Sequence, residues 1–306
     1  VTRLLLRRAG WAVLTLFFVL AGCFAAVRLT GSPVDLLYGD GATLEQIAEL
    51  EREWGLDRPL PEQFFRYLHN VMRGDFGVSL VERRPVVTVY AERLAASLQL
   101  AALAFVLGTL VGVPLGILSA VGRGGLGARL AMGLTFFGFA VPHFIIALAL
   151  ILVFGYHLNW LPSTGASTPA HFVLPAITLA LPLMAVNARY MRNALLDVLR
   201  QDYVRTARAK GVHEFRVVGM HAMRNAVLPL ITVLGLEVAG LLNGSLIVET
   251  VFSWPGVGKI LTGSVSRRDF PVLQFGVIVY ACVVVSVNLL VDLLYVVVDP
   301  RVRVNT

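Results

Sequence analysis

The chain has 306 residues, 57% of them apolar and only 15% charged, with a formal net charge of +7. Its mean hydropathy is +0.76. A chain this apolar is not disordered, not a coiled coil and not an ordinary soluble enzyme. Its basic excess serves membrane topology before nucleic acid, so no nucleic-acid partner is expected.

A membrane-crossing helix needs about 20 mostly apolar residues to cover about 30 Å of hydrocarbon, with the lipid bilayer as its solvent. Intervals with few or no charges supply six such helices. The first lies between Arg8 and Arg28 and predicts a span over residues 9–28. Within it Leu20-Ala-Gly-Cys23 matches a bacterial lipobox. The apolar run continues through Phe24-Ala-Ala-Val27, where a cleaved lipoprotein turns polar, so the first span is expected to stay attached.

Residues 30–93 hold seven basic and eleven acidic residues and are too polar to cross. Thr43 and Gln46 have capping-box spacing, with Ile47, Leu50 and Trp54 on one helical face. Pro61 starts a second helical stretch with Phe64, Leu68 and Val71 on one face and Gly74 as its stop. Residues 1–93 thus read as the first span plus an extracytoplasmic helical segment.

Residues 94–306 read as a five-span core, with spans over 94–121, 130–156, 172–190, 225–248 and 272–297 and a cytoplasmic loop over 191–224. The interval 130–188 contains no charge and is broken in the middle by Asn159, Trp160, Pro162 and the run to Pro169. Orientation follows from the basic segments. Arg3, Arg7 and Arg8, then Arg123 and Arg129, then the eight basic residues of 189–224, then Arg301 and Arg303 all fall on one side of a six-span chain. The positive-inside rule makes that side cytoplasmic, with both termini on it.

Small residues mark close helix contacts. Gly108, Gly112 and Gly116 recur every four residues in the second span, and Gly240 and Gly244 repeat the spacing in the fifth. Two acids sit inside spans. Glu237, midway along the fifth, either lines a pathway or packs as a hydrogen-bonded residue, and Asn243 is a second pathway candidate. Asp292, one turn from Asn288 in the sixth, reads as a helix-packing hydrogen bond. The two cysteines, Cys23 and Cys282, and the six histidines have no metal-ligand spacing.

The largest cytoplasmic loop runs Arg200-Gln-Asp-Tyr-Val-Arg-Thr-Ala-Arg-Ala-Lys-Gly211 and on to Asn225-Ala-Val-Leu-Pro229. Tyr203, Ala207 and Lys210 share a helical face, and Gly211 ends the helix. A helix with a small residue at its centre and basic residues around it either docks into a groove of another protein or only sets topology.

This stretch resembles the "EAA" coupling loop of ABC importer permeases, in particular the dipeptide/oligopeptide/nickel permease family (dipeptide-permease B-type). The resemblance extends through Gly55-Leu-Asp-Arg-Pro-Leu60, Gly74-Asp-Phe-Gly-Val-Ser79, Arg84-Pro-Val86, Val248-Glu-Thr-Val-Phe252, Pro255-Gly-Val-Gly258, Arg268-Asp269 and Asp299-Pro-Arg301. Gly31-Ser32-Pro33 stands where the family has Gly-Asp-Pro, and Arg205 stands where the general loop pattern has Glu.

The resemblance implies an all-α, six-span permease of type I ABC importer fold. It implies a homologous second permease, two ABC ATPase subunits and an extracytoplasmic solute-binding protein as partners. ATP and Mg would be bound by the ATPases, with no cofactor in this chain. It also implies that Tyr203, Arg205, Thr206, Ala207, Lys210 and Gly211 couple to the ATPase, with Ala207 facing its groove. Peptides are the expected solute, with nickel, glutathione or another small solute behind them.

Pro255-Gly-Val-Gly258-Lys259 superficially matches a P-loop, but Ser253 replaces its first glycine and Ile260 follows the lysine. It reads as a tight turn and a short helix. A rival from another class, an intramembrane hydrolase using Ser245, lacks a histidine base in the fifth and sixth spans.

Overall fold

A computed structural model describes residues 2–29, 55–122 and 140–298, with isolated positions between them. The helix expected around Ile47, Leu50 and Trp54 lies outside the described residues, as do the Arg123 and Arg129 turn, much of the first half of the third span, and Arg301 and Arg303.

The named elements among the described residues are helical. They are α1 (Thr2–Leu29), α2 (Leu60–Met72), α3 (Val86–Val121), α4 (His143–Leu150), α5 (Val173–Leu199), α6 (Asp202–Ala209), α7 (Met223–Val251), α8 (Val257–Ser266) and α9 (Phe270–Val298). α4 continues as a π-helical stretch, Ile151–His157. Among the described residues five helices are long and apolar enough to cross a membrane, and the shorter apolar helix His143–His157 stands in the place of the third span. Cys23 lies inside an unbroken α1.

Two helices outrun their expected spans. α3 starts at Val86, eight residues early, and at 36 residues is about 54 Å long at 1.5 Å per residue, more than the hydrocarbon needs. Its first turns carry charge instead: Arg93 bonds Glu82 at 2.8 Å, and Arg84 pairs with Glu92. α5 runs on to Leu199 before the chain turns.

The chain forms two compact units, 1–95 with 260–286, and 96–259 with 287–306. In the first, α2 lays its aromatic face on α1. The Phe64 ring meets Phe17 at 5.8 Å and Phe24 at 5.4 Å, and Tyr67 stacks on Phe24 at 5.8 Å. The buried carboxylate of Asp269 ties residues 79–81 into the same unit, accepting from Ser79 Oγ at 2.5 Å, Leu80 N at 3.1 Å and Val81 N at 3.4 Å.

The second unit is built around α5. One core gathers Leu100, Ala104, Leu174, Leu179, Phe252 and Trp254, and another gathers Met191, Leu195, Ala222, Ala226 and Leu230. α3 reaches α5 through its glycine row. A Cβ at Gly108 would lie 2.7 Å from Leu183 Cβ, at Gly112 2.6 Å from the Met184 carbonyl oxygen, and at Gly116 2.8 Å from Met191 Cβ. Only hydrogen fits between the two backbones there, which is how small residues let membrane helices gain dispersion contact. Gly240 differs, because a Cβ there meets nothing within 4 Å. Asn288 is exposed, and the side chains of Asn243 and Asp292 lie outside the described residues, as does Gly244 beyond its helical backbone.

A second buried carboxylate closes this unit. Glu249, at 0% exposure, accepts from Ser97 Oγ at 2.6 Å and from Gly258 N at 2.6 Å, and Ser245 adds a side-chain bond. Ser97 Oγ in turn accepts from Val257 N at 2.8 Å. The start of α8 therefore presents its N–H groups to a carboxylate, the sign that the helix dipole favours. Trp254 locks the turn by donating from its indole to Ala96 O at 3.0 Å while its ring meets Phe172 at 4.4 Å.

Two outcomes follow for stability. Gly112→Leu should destabilise the detergent-solubilised protein by about 2 kcal/mol, the overpacking cost, in a fluorescence-read thermal unfolding assay, whereas Gly240→Ala should leave the transition unmoved. Glu249→Ala should cost about 3 kcal/mol by orphaning buried donors, and Glu249→Gln, which keeps one acceptor oxygen, should cost less in the same assay.

Candidate functional site

The loop between the fourth and fifth spans is the most polar stretch of the second unit, and it is folded. Gln201 is extended, and α6 then runs through Asp202–Ala209 with Lys210 as its C-cap. Gly211 adopts φ 77°. Its N–H reaches Arg208 O at 2.9 Å and the Val212 N–H reaches Ala207 O at 3.2 Å. This is the Schellman pair of bonds, and the left-handed backbone that completes it strains any residue with a Cβ. The chain then doubles back, and Arg208 clamps Glu214 with two bonds, Nε to Oε2 at 3.1 Å and Nη2 to Oε1 at 2.7 Å. The hydrogen-bonded Glu214 carboxylate holds the Arg208 guanidinium above its ordinary value.

The faces of α6 differ from the expectation. Val204 and Ala207 are buried, packed with Val217 and flanked by Val198, Leu199 and Val212. Ala207 therefore points into its own chain and not outward. The reason is amphipathic: Val204 and Ala207, three residues apart, form the one apolar stripe of an otherwise polar helix, and Val217 supplies the surface to bury it. The outward residues are Tyr203, Arg205, Thr206 and Lys210. Tyr203 is anchored, its hydroxyl accepting from Asn225 Nδ2 at 2.7 Å at the start of α7. Beyond Gly211 two large apolar side chains stand in the open, Phe215 at 82% and Met220 at 69% exposure. Composition hid both, because a lone Phe or Met in a basic loop carries no periodic signal; only the fold shows that they are left uncovered.

Glu237 meets Asn187, a fully buried residue of α5 whose Nδ2 donates to Glu237 Oε2 at 3.0 Å. Glu237 Oε1 and Asn187 Oδ1 are buried without partners among the described residues. One carboxylate oxygen is thus committed to a helix–helix bond, and the other is available to a donor.

Two features that look like chemistry are structural. The Gly258 and Lys259 N–H groups of the Pro255-to-Lys259 turn are spent on the Glu249 carboxylate. A Cβ at Gly258 would lie 2.5 Å from Leu246 Cα, so the turn is closed on its own chain. Ser245 is buried against the same carboxylate. Among the described residues no group of three or more His, Cys, Asp or Glu side chains is placed to hold a metal ion.

Comparison with known proteins agrees with this architecture. Residues 112–304 match the family described as binding-protein-dependent transport system inner membrane component, and residues 1–101 match the N-terminal family of the same transport systems. The glutathione transport system permease protein GsiC of Pectobacterium atrosepticum is 41% identical over 290 residues, covering 94% of this chain and 95% of that protein. The GsiC of Escherichia coli (strain K12) is 42% identical over the same shares. Among solved structures, the crystal structure of an amino acid ABC transporter with histidines shares the fold, with a TM-score of 0.53 at 17% identity over 68% of this chain and 93% of that one. Such a component carries solute and does not transform it, which sets the intramembrane hydrolase aside. The chain belongs to the binding-protein-dependent transport system inner membrane component family: it is a multi-pass inner-membrane permease subunit of an ABC importer, not an enzyme.

Proposed function

We propose that this subunit forms half of the translocation pathway for small peptides, glutathione among them. A homologous second permease forms the other half, two ATPase subunits bind the cytoplasmic side, and an extracytoplasmic binding protein delivers the solute. Both termini lie in the cytoplasm. Support for the solute class comes from relatives named for glutathione transport that align with nearly the whole chain, glutathione being itself a small peptide-like solute. The six-span order and the basic segments support the orientation.

The observation that carries the coupling role is the outward face of the 202–220 segment. Tyr203, Arg205, Thr206 and Lys210 on α6, and Phe215 and Met220 after it, are all exposed. Aromatic and apolar anchors supply affinity at such surfaces, while rim charges steer the approach. Ala207 and Gly211 belong to the same device in another way. Ala207 seats the helix on Val217, and Gly211 turns the chain so that Phe215 projects. Glu237 and Asn243 are assigned to the pathway wall. In this reading α6 passes motion of the ATPases to α5 and α7, between which the loop is strung.

Phe215→Ser should reduce solute-stimulated ATP hydrolysis of the reconstituted importer by about tenfold, the loss of one anchor, without lowering the abundance of the subunit. Arg205→Ala, a rim change, should reduce it by less than about threefold at physiological salt. Co-purification with the ATPases should fall with the first variant and hold with the second. Full coupling in the Phe215 variant would confine this loop to topology.

The solute class is checked by uptake in cells carrying the whole importer. Glutathione and dipeptides should accumulate and compete with one another. Uptake of nickel or sugars without any peptide uptake would overturn the solute assignment and leave the transport role in place.

A further inference from the structure

The N-terminal unit holds a cavity of about 630 Å³ that the transport role does not use. Its wall brings together Arg28, Arg66 and Arg83 with Gln63 and Tyr67, and the acid at its edge is Asp75. Asp75 already accepts from Gly77 N at 3.0 Å. None of the three arginines has an ion-pair partner among the described residues, whereas Arg58, Arg84, Arg93, Arg205 and Arg208 all do. Among the described residues three guanidinium groups line one space with Asp75 as the single carboxylate of its wall, so the local charge is net positive and favours an anion.

The buried polar atoms of the wall are also unspent. Arg28 Nε, Tyr67 Oη and Gln63 Oε1 are buried with no hydrogen-bond partner among the described residues. Gln63 is 8% exposed and its orientation is set, because Nε2 donates to Leu56 O at 2.8 Å and Arg58 O at 2.7 Å. Its oxygen is therefore left as an acceptor in the wall. Burial pushes the Tyr67 phenol up from its ordinary value, so it stays a hydroxyl donor. Gly55 makes room for the Arg66 head, since a Cβ there would lie 2.6 Å from Arg66 Nη1. The site thus offers several donors to an anion and one acceptor to a hydroxyl or ammonium beside it.

Position decides the source of that anion. Arg28 stands at the end of the apolar α1 span, over the Phe24 ring at 5.3 Å, and Pro271 at the head of α9 lines the same cavity. Both helices are long and apolar enough to cross a membrane, and ends at Arg28 and Pro271 would then stand at the depth of lipid phosphates. On α2, which supplies Gln63, Arg66 and Tyr67 to the wall, Leu60, Phe65 and Met72 are exposed. We infer that this cavity is a binding site for the headgroup of an anionic phospholipid, with the phosphodiester held by Arg28, Arg66, Arg83 and Tyr67 and a headgroup hydroxyl donating to Gln63. Arginine is suited to a phosphodiester by its planar fork of donors. The lipid would clamp α2 to the end of α1.

The test uses the purified full-length chain, delipidated in detergent and titrated with phosphatidylglycerol or phosphatidylcholine by native mass spectrometry. Phosphatidylglycerol should bind about tenfold more tightly than phosphatidylcholine, and R66Q/R83Q should erase that preference, losing about threefold per arginine. Tyr67→Phe keeps the ring on Phe24 and removes only the hydroxyl; it should weaken phosphatidylglycerol by about threefold with no change in helical content. Glycerol 3-phosphate, inorganic phosphate and a dipeptide should not displace the lipid at equal concentration. Equal lipid binding by wild type and both variants would overturn the site, and displacement by any of the free anions would overturn the lipid as its occupant.

Discussion

Glu249 carries a carboxylate into a region that water does not reach, and the second unit is arranged to satisfy it. A buried charge without partners is costly enough to unfold a domain, so the chain surrounds this one with Ser97 from α3, Ser245 from its own helix and the N–H groups that open α8. Each partner comes from a different element, so those elements can assemble only together. The tight turn over Pro255 to Gly258 exists because the carboxylate occupies its hollow. Asp269 does the same for residues 79–81 in the first unit. Both acids tie short segments to helix ends, adding hydrogen bonds to the apolar packing that Trp254 provides beside Glu249.

Inside the spans the organising constraint changes from charge to distance. α3 and α5 approach until a methyl group at Gly112 would strike the Met184 backbone, and the Asn187 Cβ lies 3.0 Å from the same imagined atom. The glycine row therefore fixes the position of Asn187, and Asn187 fixes one oxygen of Glu237. A polar pair at mid-span is set in place by close apolar packing on its far side. That makes the geometry of Glu237 a property of three helices at once.

The loop after α5 shows how a polar peripheral segment becomes fixed by its own contacts. A Schellman turn at Gly211, a two-bond clamp from Arg208 to Glu214 and a small apolar seat under Val204 and Ala207 leave little freedom in 202–217. The residues freed by this economy are large and outward, Tyr203 and Phe215 above all. The bond from Asn225 to Tyr203 joins this loop to the start of α7.

An all-helical membrane chain was legible in the sequence, because a run of about 20 uncharged residues has few stable fates other than crossing a bilayer; of the six expected spans, five described helices have that length and a shorter apolar helix stands at the third. So were the glycine row, the end of α6 at Gly211 and the family, all of which are local in the chain. The direction in which Ala207 points was not, since helical spacing groups Tyr203, Ala207 and Lys210 equally well, and only the position of Val217 chooses the buried side. Glu249 stood in a recognised motif without a role, because its partners lie 152 residues before it and nine after. The arginine-lined cavity was illegible for the same reason: Arg28, Arg66, Arg83 and Pro271 are scattered along the chain, and they become neighbours only when α1, α2 and the head of α9 pack. Periodicity and composition decide what each segment is. Which of its atoms are buried, paired or left facing an empty space depends on distant segments, and that is settled only by tertiary packing.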